Sequence, residues 1–485
     1  MDCGIFGIVE KKSQRRNFRI HRGLGTADLA LSQEVIDEMG ELGWKIFFAL
    51  KGLQHRGQDG SGIAICGNAG IGHDRYSTTG KIIRENVQPI EGNFRGDPFA
   101  VAQNGNLVNT MELKREAEGR GADFGDSERL SQAAELEISD TRVVAKLIET
   151  SPCHDFFDAL HEVLPKLSGA FSLAVLYKDK VIGVKDPFGI RPLCLGESSD
   201  YYVLSSESCA MDHIGIELTR EINPAEFIVL DSAGCDSSNW TTSPGKKTCL
   251  FEYIYFARPD SIIEGVPIYS ARKKMGGYLA QEHFLRVLQD EVIIPVLDSG
   301  LMAALGMQDF TNIPMVYEAL FRAHFTFGRS FITAPDLRKL GVSLKFNPVL
   351  FDIQDKRVIL VDDSIVRGTT MPQVINLLRT PKRIMGQIVR GVKTVDVLVT
   401  APPYRFPCYY GIDTWRISGE LIAANCHGDI QQIRDQIGAD YLGYLSLENT
   451  IRSAVESDLK KKLRPCDFCV ACFSGEYPTE PPLGQ

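Results

Sequence analysis

The hydrophobic pattern changes character partway along the chain. In the first half, short runs of alternating apolar and polar positions are separated by turn residues, which predicts a sheet-rich fold. In the second half, apolar strand-like runs at 291–297, 358–361 and 395–399 alternate with helical stretches, a pattern typical of a parallel sheet flanked by helices. The sequence therefore predicts two structural units of different fold class.

The predicted boundary lies at 241–249. The residues at 231–247 are rich in Ser, Thr, Gly and Asp and contain one Pro, as expected of a linker or hairpin. A chain of 485 residues is long enough for two or more domains. We therefore predict an N-terminal half of residues 3–245 and a C-terminal half of residues 246–485.

The run at 358–361 leads into the most informative chemistry of the chain. Its residues, V-I-L-V, are all apolar, which is typical of a strand buried on both faces. Asp362 and Asp363 follow it, and ligands of open α/β sheets bind at the carboxyl ends of strands. The loop that comes next supplies a concave anion site through Ser364, Arg367, Gly368, Thr369 and Thr370. An acid pair beside a phosphate cradle suits a phosphorylated ribose, and the run resembles the phosphoribosyl-pyrophosphate (PRPP) motif of type I phosphoribosyltransferases.

A second candidate site begins at Cys3, the first residue of a short apolar strand. A thiol near a chain terminus can use the free α-amine as its base, since that amine titrates at about 7.7–8.0. A single Cys is more often a small buried hydrophobe, but four polar stretches follow it in order, at 54–58, 72–78, 103–106 and 186–193. These stretches resemble the glutaminase domain of class II glutamine amidotransferases, which are N-terminal-nucleophile hydrolases.

Together the two halves resemble the amidophosphoribosyltransferases, with further matching stretches at 252–261, 270–273, 328–332 and 437–440. The resemblance implies an α+β N-terminal-nucleophile hydrolase domain with four αββα layers, followed by an α/β type I phosphoribosyltransferase domain with a parallel sheet. It also implies transfer of the amide nitrogen of glutamine to C1 of PRPP, which gives 5-phosphoribosylamine, glutamate and pyrophosphate. In that family the reaction is the first step of de novo purine nucleotide synthesis.

The resemblance implies the catalytic groups of the N-terminal half. Cys3 would attack the glutamine carboxamide, with its own α-amine moving the proton, once residues 1–2 have been removed. The Asn104 side chain and the Gly105 N–H would form the oxyanion hole, where one donor is commonly worth about 2.7–4 kcal/mol. Arg56 would support the nucleophile.

The same resemblance implies how glutamine is bound. Arg75 would clamp the α-carboxylate with its planar fork, and Tyr76 would belong to the same binding site. Asp140 would take the ammonium group. Asp126 is an alternative for that role, because the chain between 109 and 139 is longer than usual in the family.

In the C-terminal half, Asp362 and Asp363 would hold the ribose hydroxyls and residues 364–370 the 5′-phosphate. Mg²⁺ would arrive with the pyrophosphate, because this ion is usually held by few carboxylates together with substrate oxygens. Ser299 and the acid pair would complete the surroundings of the ion. Ammonia has to cross between the two sites unprotonated, and residues 253–261 are the expected lining of an apolar path.

Four cysteines form a third constellation. Cys469 and Cys472 make a C-x₂-C pair, which with Cys249 and Cys408 matches the four-iron, four-sulfur ligand set of one branch of the family. A C-x₂-C pair also suits Zn²⁺, so the spacing alone does not choose the metal. Resemblance favours the iron–sulfur cluster. Cys466 makes a competing C-x₂-C pair with Cys469.

Composition narrows the class of protein. A formal net charge of −9 argues against nucleic acid as the main partner, and no apolar run reaches the ~18 residues of a membrane span. Twelve cysteines scattered over a long chain, without a secretory signal, predict a cytoplasmic protein. The resemblance adds small-molecule substrates, feedback inhibition by purine nucleotides and a homotetramer.

The sequence departs from the family pattern near the glutamine site. The segment that begins at His21 resembles one that normally follows the strand at 62–65, yet it precedes Gln54 here. Gln103 stands in place of His, and two further replacements are Arg142 for Glu and Asp74 for Val or Thr. A displaced segment predicts glutamine use that is weak relative to ammonia use, because small displacements reduce rates strongly.

Two other functional classes stay open at this point. A ligand-sensing protein could keep the phosphoribosyl fold for regulation, but this class does not explain Cys3 with Asn104 and Gly105. A catalytically weakened paralogue would fit the replacements near the glutamine site. Loss of residues 1–2 in an intact-mass measurement would argue against that second class.

Overall fold

The structure, a computed structural model, describes residues 3–12, 17–76, 82–124, 138–283, 290–322 and 346–482. Asp126 and the stretch at 328–332 lie outside these residues, so the alternative ammonium partner and one matching stretch stay predictions. Within the described part of the chain, the helices are too short or too polar to cross a membrane.

Thirteen strands belong to the N-terminal half as described. They are β1 Gly4–Glu10, β2 Phe18–Leu24, β3 Gly60–Cys66, β4 Ala69–Arg75, β5 Ile90–Phe94, β6 Asp97–Leu107, β7 Gly169–Tyr177, β8 Lys180–Lys185, β9 Cys194–Glu197, β10 Tyr201–Ser205, β11 Glu217–Glu221, β12 Glu226–Asp231 and β13 Gly234–Asn239. They form two antiparallel sheets, in the orders β11-β9-β10-β1-β4-β3-β2 and β13-β12-β8-β7-β6-β5. The predicted hairpin near the boundary is the β12–β13 pair.

The helices of this half are α1 Ala27–Ala30, α2 Gln33–Leu53, α3 Thr110–Gly119, α4 Asp140–Glu149, α5 Phe156–Val163 and α6 Ser208–Asp212. Ser32 caps α2 by accepting a bond from the Val35 N–H, and α2 bends at Gly40, whose φ is 71°. Ser139 caps α4 in the same way, through the Arg142 N–H.

The side-chain alternation of the strands builds four layers. Ile5 of β1 packs between the two sheets, whereas its neighbour Phe6 packs under α2 on the outer face. On the second sheet, Val101 and Leu173 pack outward against α4 and α5. The αββα arrangement predicted for this half is therefore confirmed.

The displaced segment, which begins at His21, forms part of strand β2 in the first sheet. β2 pairs with β3 in antiparallel register from Phe18↔Cys66 to Leu24↔Gly60. The other edge of β3 pairs with β4, across a two-residue turn between Cys66 and Ala69. β2 therefore lies directly beside β3, and the weak use of glutamine relative to ammonia stays a prediction.

The strands of the C-terminal half are β14 Thr248–Cys249, β15 Ile262–Ile263, β16 Val266–Pro267, β17 Glu291–Pro295, β18 Leu320–Arg322, β19 Phe346–Pro348, β20 Arg357–Asp362, β21 Lys382–Ile384, β22 Gln387–Val389, β23 Thr394–Val399, β24 Tyr441–Tyr444 and β25 Phe468–Cys469. Four of them form a parallel sheet in the order β17-β20-β23-β24. The three apolar runs predicted as strands are β17, β20 and β23, so the parallel sheet is confirmed.

The helices of this half are α7 Ile268–Glu282, α8 Leu301–Thr311, α9 Met371–Arg379, α10 Ile422–Asn425, α11 Ile430–Ile437, α12 Leu447–Val455 and α13 Ala471–Ser474, with a π-helical turn at Glu252–Phe256. α9 begins directly after the predicted phosphate loop and carries Pro372 in its first turn, where proline is tolerated. β21 and β22 pair in antiparallel register and form a hairpin after α9.

The two halves share buried contacts. The core of the C-terminal half includes Ala170 and Ile190 from the N-terminal half. The N–H of Cys249 donates to the Ile190 carbonyl at 3.1 Å, and the Asn106 amide donates to the Tyr409 carbonyl at 3.0 Å. These contacts join the strand that carries the predicted oxyanion hole to the C-terminal half.

Candidate active sites

Cys3 precedes the central strand of the first sheet. Its side chain is 5% exposed, and its Sγ lies 3.4 Å from both the Tyr76 carbonyl oxygen and the Tyr76 N–H nitrogen. β1 is paired on both edges, with β10 and β4, so the backbone beside the thiol is held in a regular sheet. The thiol therefore lies at a fixed position beside the end of β4.

Asn104 and Gly105 lie on β6, in the facing sheet. The Asn104 amide nitrogen makes a long 3.5 Å contact to Ser206 Oγ, and Ser206 Oγ also accepts from the Ile5 N–H at 3.0 Å. Ser206 thus links the two sheets close to the nucleophile, which the sequence analysis missed. The side-chain oxygen of Asn104, Oδ1, is buried and makes no hydrogen bond with the described residues.

Gly105 is required at its position by sterics. Its φ is +139°, and a Cβ there would lie 2.0 Å from the Ala170 carbonyl oxygen on β7. A side chain at this position would push β6 away from β7. The backbone N–H predicted to stabilise an oxyanion therefore depends on glycine.

Arg75 and Asp140 are both buried near Cys3. Burial lowers the pKa of Arg75, and the charges of Cys3, Asp59 and Asp140 oppose that shift, so these groups lie within electrostatic reach of the guanidinium. Burial raises the pKa of Asp140, although its carboxylate accepts bonds from the Leu107 N–H at 3.1 Å and the Thr141 N–H at 2.8 Å. The structure thus brings the Arg75 cation within electrostatic reach of both the thiol and a buried carboxyl group.

The replacements in this region all have partners. The Gln103 amide donates to Asp140 Oδ2 at 2.9 Å, and Arg142 donates to the Phe124 carbonyl at 3.1 Å. Ser61 Oγ donates to Asp74 Oδ1 at 2.6 Å, while burial raises the pKa of Asp74 to about 8. Gln103 therefore orients the predicted ammonium partner.

Arg56 lies just after the end of α2, and its side chain contacts the backbone of Cys3. Its Nε donates to the Cys3 carbonyl at 3.1 Å. Its remaining nitrogens contact two buried carboxylates, Glu207 after β10 and Glu252 in the π-helical turn. Neither glutamate was predicted from the sequence as a site residue, although Glu252 belongs to the matching stretch at 252–261.

The predicted phosphoribosyl loop connects β20 to α9. Asp362 ends the strand, and Asp363 Oδ2 accepts from Ser364 Oγ at 2.5 Å. Gly368 has a φ of +69°, and a Cβ there would lie 2.4 Å from Ile422 Cδ1. Arg367 pairs with Glu420 at 3.2 Å through its Nε, while its buried Nη1 makes no hydrogen bond with the described residues.

Thr369 and Thr370 complete that loop. Thr370 is the N-cap of α9, so the first N–H groups of the helix point toward the loop. Gln373 holds the loop by donating to the Thr369 carbonyl at 3.0 Å. A buried unpaired guanidinium nitrogen, hydroxyls and helix N–H groups together can bind a phosphate.

Ser299 reaches the acid pair from the neighbouring strand. It lies in the loop between β17 and α8, and its Oγ donates to Asp362 Oδ1 at 3.4 Å. Burial, and then the charge of Asp363, raise the pKa of Asp362 well above its ordinary value. Two buried carboxyl groups at one strand end favour a bound cation.

The four predicted cluster cysteines lie together at the junction of the halves. Cys249 and Cys469 are directly paired in the parallel β14–β25 ladder. Burial raises the pKa of the Cys472 thiol, and the next influences on it are the charges of Cys408, Cys249 and Cys469. The competing Cys466 is exposed.

A single metal ion would need several donor side chains that converge on one point. Among the residues that the structure describes, no three His, Cys, Asp or Glu side chains converge on one ion. Cys249, Cys408, Cys469 and Cys472 are all buried, and Cys472 lies within electrostatic reach of the other three. Buried thiols grouped in this way can hold an iron–sulfur cluster or Zn²⁺.

A stability measurement tests the carboxyl pair. Because the pKa of Asp362 is raised in the folded state, its ionisation destabilises the protein, and stability is lost as pH rises through that pKa. Asp362→Asn should therefore raise the thermal midpoint at pH 8, and the gain should shrink as pH falls toward about 4. Differential scanning calorimetry across this range measures both effects.

Asp458 provides a control of opposite sign. Although burial opposes the shift, three backbone N–H groups lower the pKa of Asp458, so its ionised form stabilises the fold. Asp458→Asn should therefore lower the midpoint at pH 8. An unchanged or lower midpoint for Asp362→Asn at pH 8 would show that the acid pair carries no electrostatic penalty.

Comparison with known proteins places this arrangement in a family. Residues 38–228 match the model of the glutamine amidotransferase domain family. The match begins within α2, so it does not include β1 or β2. Amidophosphoribosyltransferase of Methanocaldococcus jannaschii is 37% identical over an alignment 479 residues long. The alignment covers 90% of this chain and 94% of the relative. The Bacillus subtilis enzyme of the same name is 36% identical over 463 residues, 90% of this chain and 91% of that protein.

Comparison of the fold with solved structures indicates the same family over almost the whole chain. The solved structure of glutamine PRPP amidotransferase from B. subtilis, complexed with ADP and GMP, superposes with a TM-score of 0.77 at 34% identity and covers 98% of this chain and 97% of that one. A second structure, of an allosteric regulatory enzyme of purine biosynthesis, also gives 0.77, at 33% identity, with 99% and 96% coverage. Since similarity extends through both halves, the chain belongs to the amidophosphoribosyltransferase family.

Proposed function

We propose that the chain transfers the amide nitrogen of glutamine to C1 of PRPP and forms 5-phosphoribosylamine, glutamate and pyrophosphate. Residues 3–245 are the proposed glutaminase domain and residues 246–485 the proposed phosphoribosyltransferase domain. One observation carries the proposal: a single chain with a shared core holds two buried groups of complementary chemistry. One is the thiol at the start of β1, which Ser206 links to Asn104, and the other is the acid pair at the end of the parallel strand β20.

The proposed glutaminase step uses groups that already surround Cys3. The thiol attacks the carboxamide carbon, and the free α-amine of Cys3 takes the thiol proton and returns it to the leaving ammonia. Asn104 and the Gly105 N–H stabilise the tetrahedral oxyanion. Water then hydrolyses the thioester to glutamate. Arg75 and Asp140 hold the two charged ends of the amino acid.

The second proposed step takes place at the β20 loop. Asp362 and Asp363 hold the ribose hydroxyls, and the loop that ends at Thr370 holds the 5′-phosphate. Ammonia attacks C1, and the C1–oxygen bond to pyrophosphate breaks. The acid pair and Ser299 fit Mg²⁺, which would supply positive charge at the departing pyrophosphate.

The segment between the two sites fits an ammonia path. Tyr253, Ile254 and Phe256 are almost fully buried within the π-helical turn that joins the halves. Apolar walls keep ammonia unprotonated during its transit, because the ammonium ion loses its hydration there.

Purine nucleotides are the proposed regulators. The B. subtilis structure holds ADP and GMP, and it matches both halves of this chain. A cytoplasmic homotetramer completes the proposal, on the ground of the family resemblance. The four cysteines at the junction are proposed to hold a four-iron, four-sulfur cluster, because their shared burial suits that group.

The nucleophile is tested by Cys3→Ala. Loss of the thiol should reduce glutamine-dependent synthesis by about a thousandfold or more, since it removes the attacking atom. Ammonia-dependent synthesis should persist, because the β20 loop is a separate site. Both rates are measured as formation of phosphoribosylamine by purified, anaerobically handled protein.

Three observations would contradict this assignment. Parallel loss of both activities in Cys3→Ala would defeat the two-site account. Intact mass provides the control, because the active protein should lack residues 1–2. Full-length protein with ammonia-dependent activity alone would identify a weakened paralogue, and PRPP binding without either activity would identify a ligand sensor.

The cluster is tested with a matched pair of cysteine variants. Cys469→Ser should abolish the brown visible absorbance and the content of about four irons per chain. Cys466→Ser, three residues earlier but exposed, should leave both unchanged. Absorbance and metal analysis of anaerobically purified protein give the answer. Zinc in place of iron, or equal loss of iron in both variants, would contradict the assignment.

A further inference from the structure

Glu252, a residue of the C-terminal half, pairs with Arg56, the residue that contacts the backbone of Cys3. Glu252 lies in the π-helical turn after β14, and its side chain is fully buried. Its two oxygens accept from Arg56, at 2.7 Å from Nη2 and 3.1 Å from Nη1. Arg191 Nη1 donates to the same carboxylate at 3.3 Å. Two buried guanidinium groups therefore share one carboxylate of the C-terminal half.

Arg56 connects that carboxylate to the reacting residue. Its Nε bond to the Cys3 carbonyl leaves a single side chain between Glu252 and the nucleophile. Glu207 contacts Arg56 from the N-terminal half and also accepts from Ser261 Oγ at 2.6 Å. The Arg56 guanidinium is thus held between one carboxylate from each half of the chain.

The position of Glu252 is in turn fixed from the phosphoribosyl side. Arg272, on α7, donates to the backbone carbonyls of Tyr253 at 2.9 Å and Ala257 at 2.8 Å, which tie down the turn. Burial lowers the pKa of Arg272 to about 10, and Asp363 is the largest opposing influence, so the acid pair lies within electrostatic reach of Arg272. Contacts therefore run from Arg272 through the π-helical turn and Arg56 to Cys3.

We propose that Glu252 is a positioning residue for the glutaminase reaction, supplied by the phosphoribosyltransferase half. The bidentate geometry fixes the plane of the Arg56 guanidinium, and this plane sets the Cys3 carbonyl and the peptide that carries the thiol. A displacement of about 1 Å at a nucleophile can cost about a hundredfold in rate. The inference rests on the proposed glutaminase function of Cys3.

The experiment compares Glu252→Gln and Glu252→Asp with the wild type. Gln keeps the shape but removes the charge that orients two arginines, whereas Asp keeps the charge on a shorter chain. We expect kcat for glutamine hydrolysis to fall about tenfold to a hundredfold in Glu252→Gln, with KM for glutamine unchanged. Glu252→Asp should recover part of the loss, and ammonia-dependent synthesis should persist in both variants.

Glu264 provides a matched control. It is also buried, also belongs to the C-terminal half and also pairs with a cation of the N-terminal half, Lys185, at 3.0 Å. Its described ion pairs are with Lys185 and Lys246, and not with the Arg56 network. Glu264→Gln should change thermal stability without lowering kcat for glutamine hydrolysis relative to ammonia-dependent synthesis.

The alkylation rate of Cys3 by iodoacetamide, followed by peptide mass spectrometry, reports the nucleophile without turnover and should fall in Glu252→Gln. Normal kcat and normal alkylation in that variant would overturn the inference, as would the same loss in Glu264→Gln. If Glu252→Gln does not fold, unreduced kcat in Glu252→Asp would overturn it. A wild-type protein without glutamine hydrolysis would instead defeat the proposed function.

Discussion

The buried guanidinium of Arg56 is the constraint on which the rest of the structure depends. A charge removed from water has to be paired, and the described partners of Arg56 are carboxylates from both halves of the chain. Its Nε bond then fixes the backbone of Cys3. The proposed glutaminase site is for this reason built from both halves, since Arg56 beside Cys3 is paired with Glu207 from one half and Glu252 from the other.

The proposed phosphoribosyl site is governed by repulsion between two buried carboxyl groups and not by a buried ion pair. Its acid pair is held at a strand end, where burial and mutual repulsion raise the pKa of Asp362. Without a cation, this strand end is therefore less stable than an apolar strand end would be. Such a local cost is common at functional sites, where groups are held ready for a ligand.

Much of this organisation could be predicted from local sequence. The apolar run at 358–361 identified β20 to within one residue at each end, and the linker composition identified the β12–β13 hairpin. The contacts of Glu252 with Arg56 could not be predicted, because these residues are far apart in sequence and meet only through tertiary packing. The pairing of β2 with β3 could not be predicted from local sequence either, because strand pairing depends on which sheet edge is free.

The central claim is that one chain carries both steps and passes the nitrogen between them. The most direct measurement supplies glutamine labelled with ¹⁵N in its amide together with PRPP, Mg²⁺ and excess unlabelled ammonium. Mass spectrometry of the amine product then reports where its nitrogen originated. The account predicts a product that carries ¹⁵N from glutamine. A product that carries only unlabelled nitrogen, formed while glutamine is left intact, would contradict it.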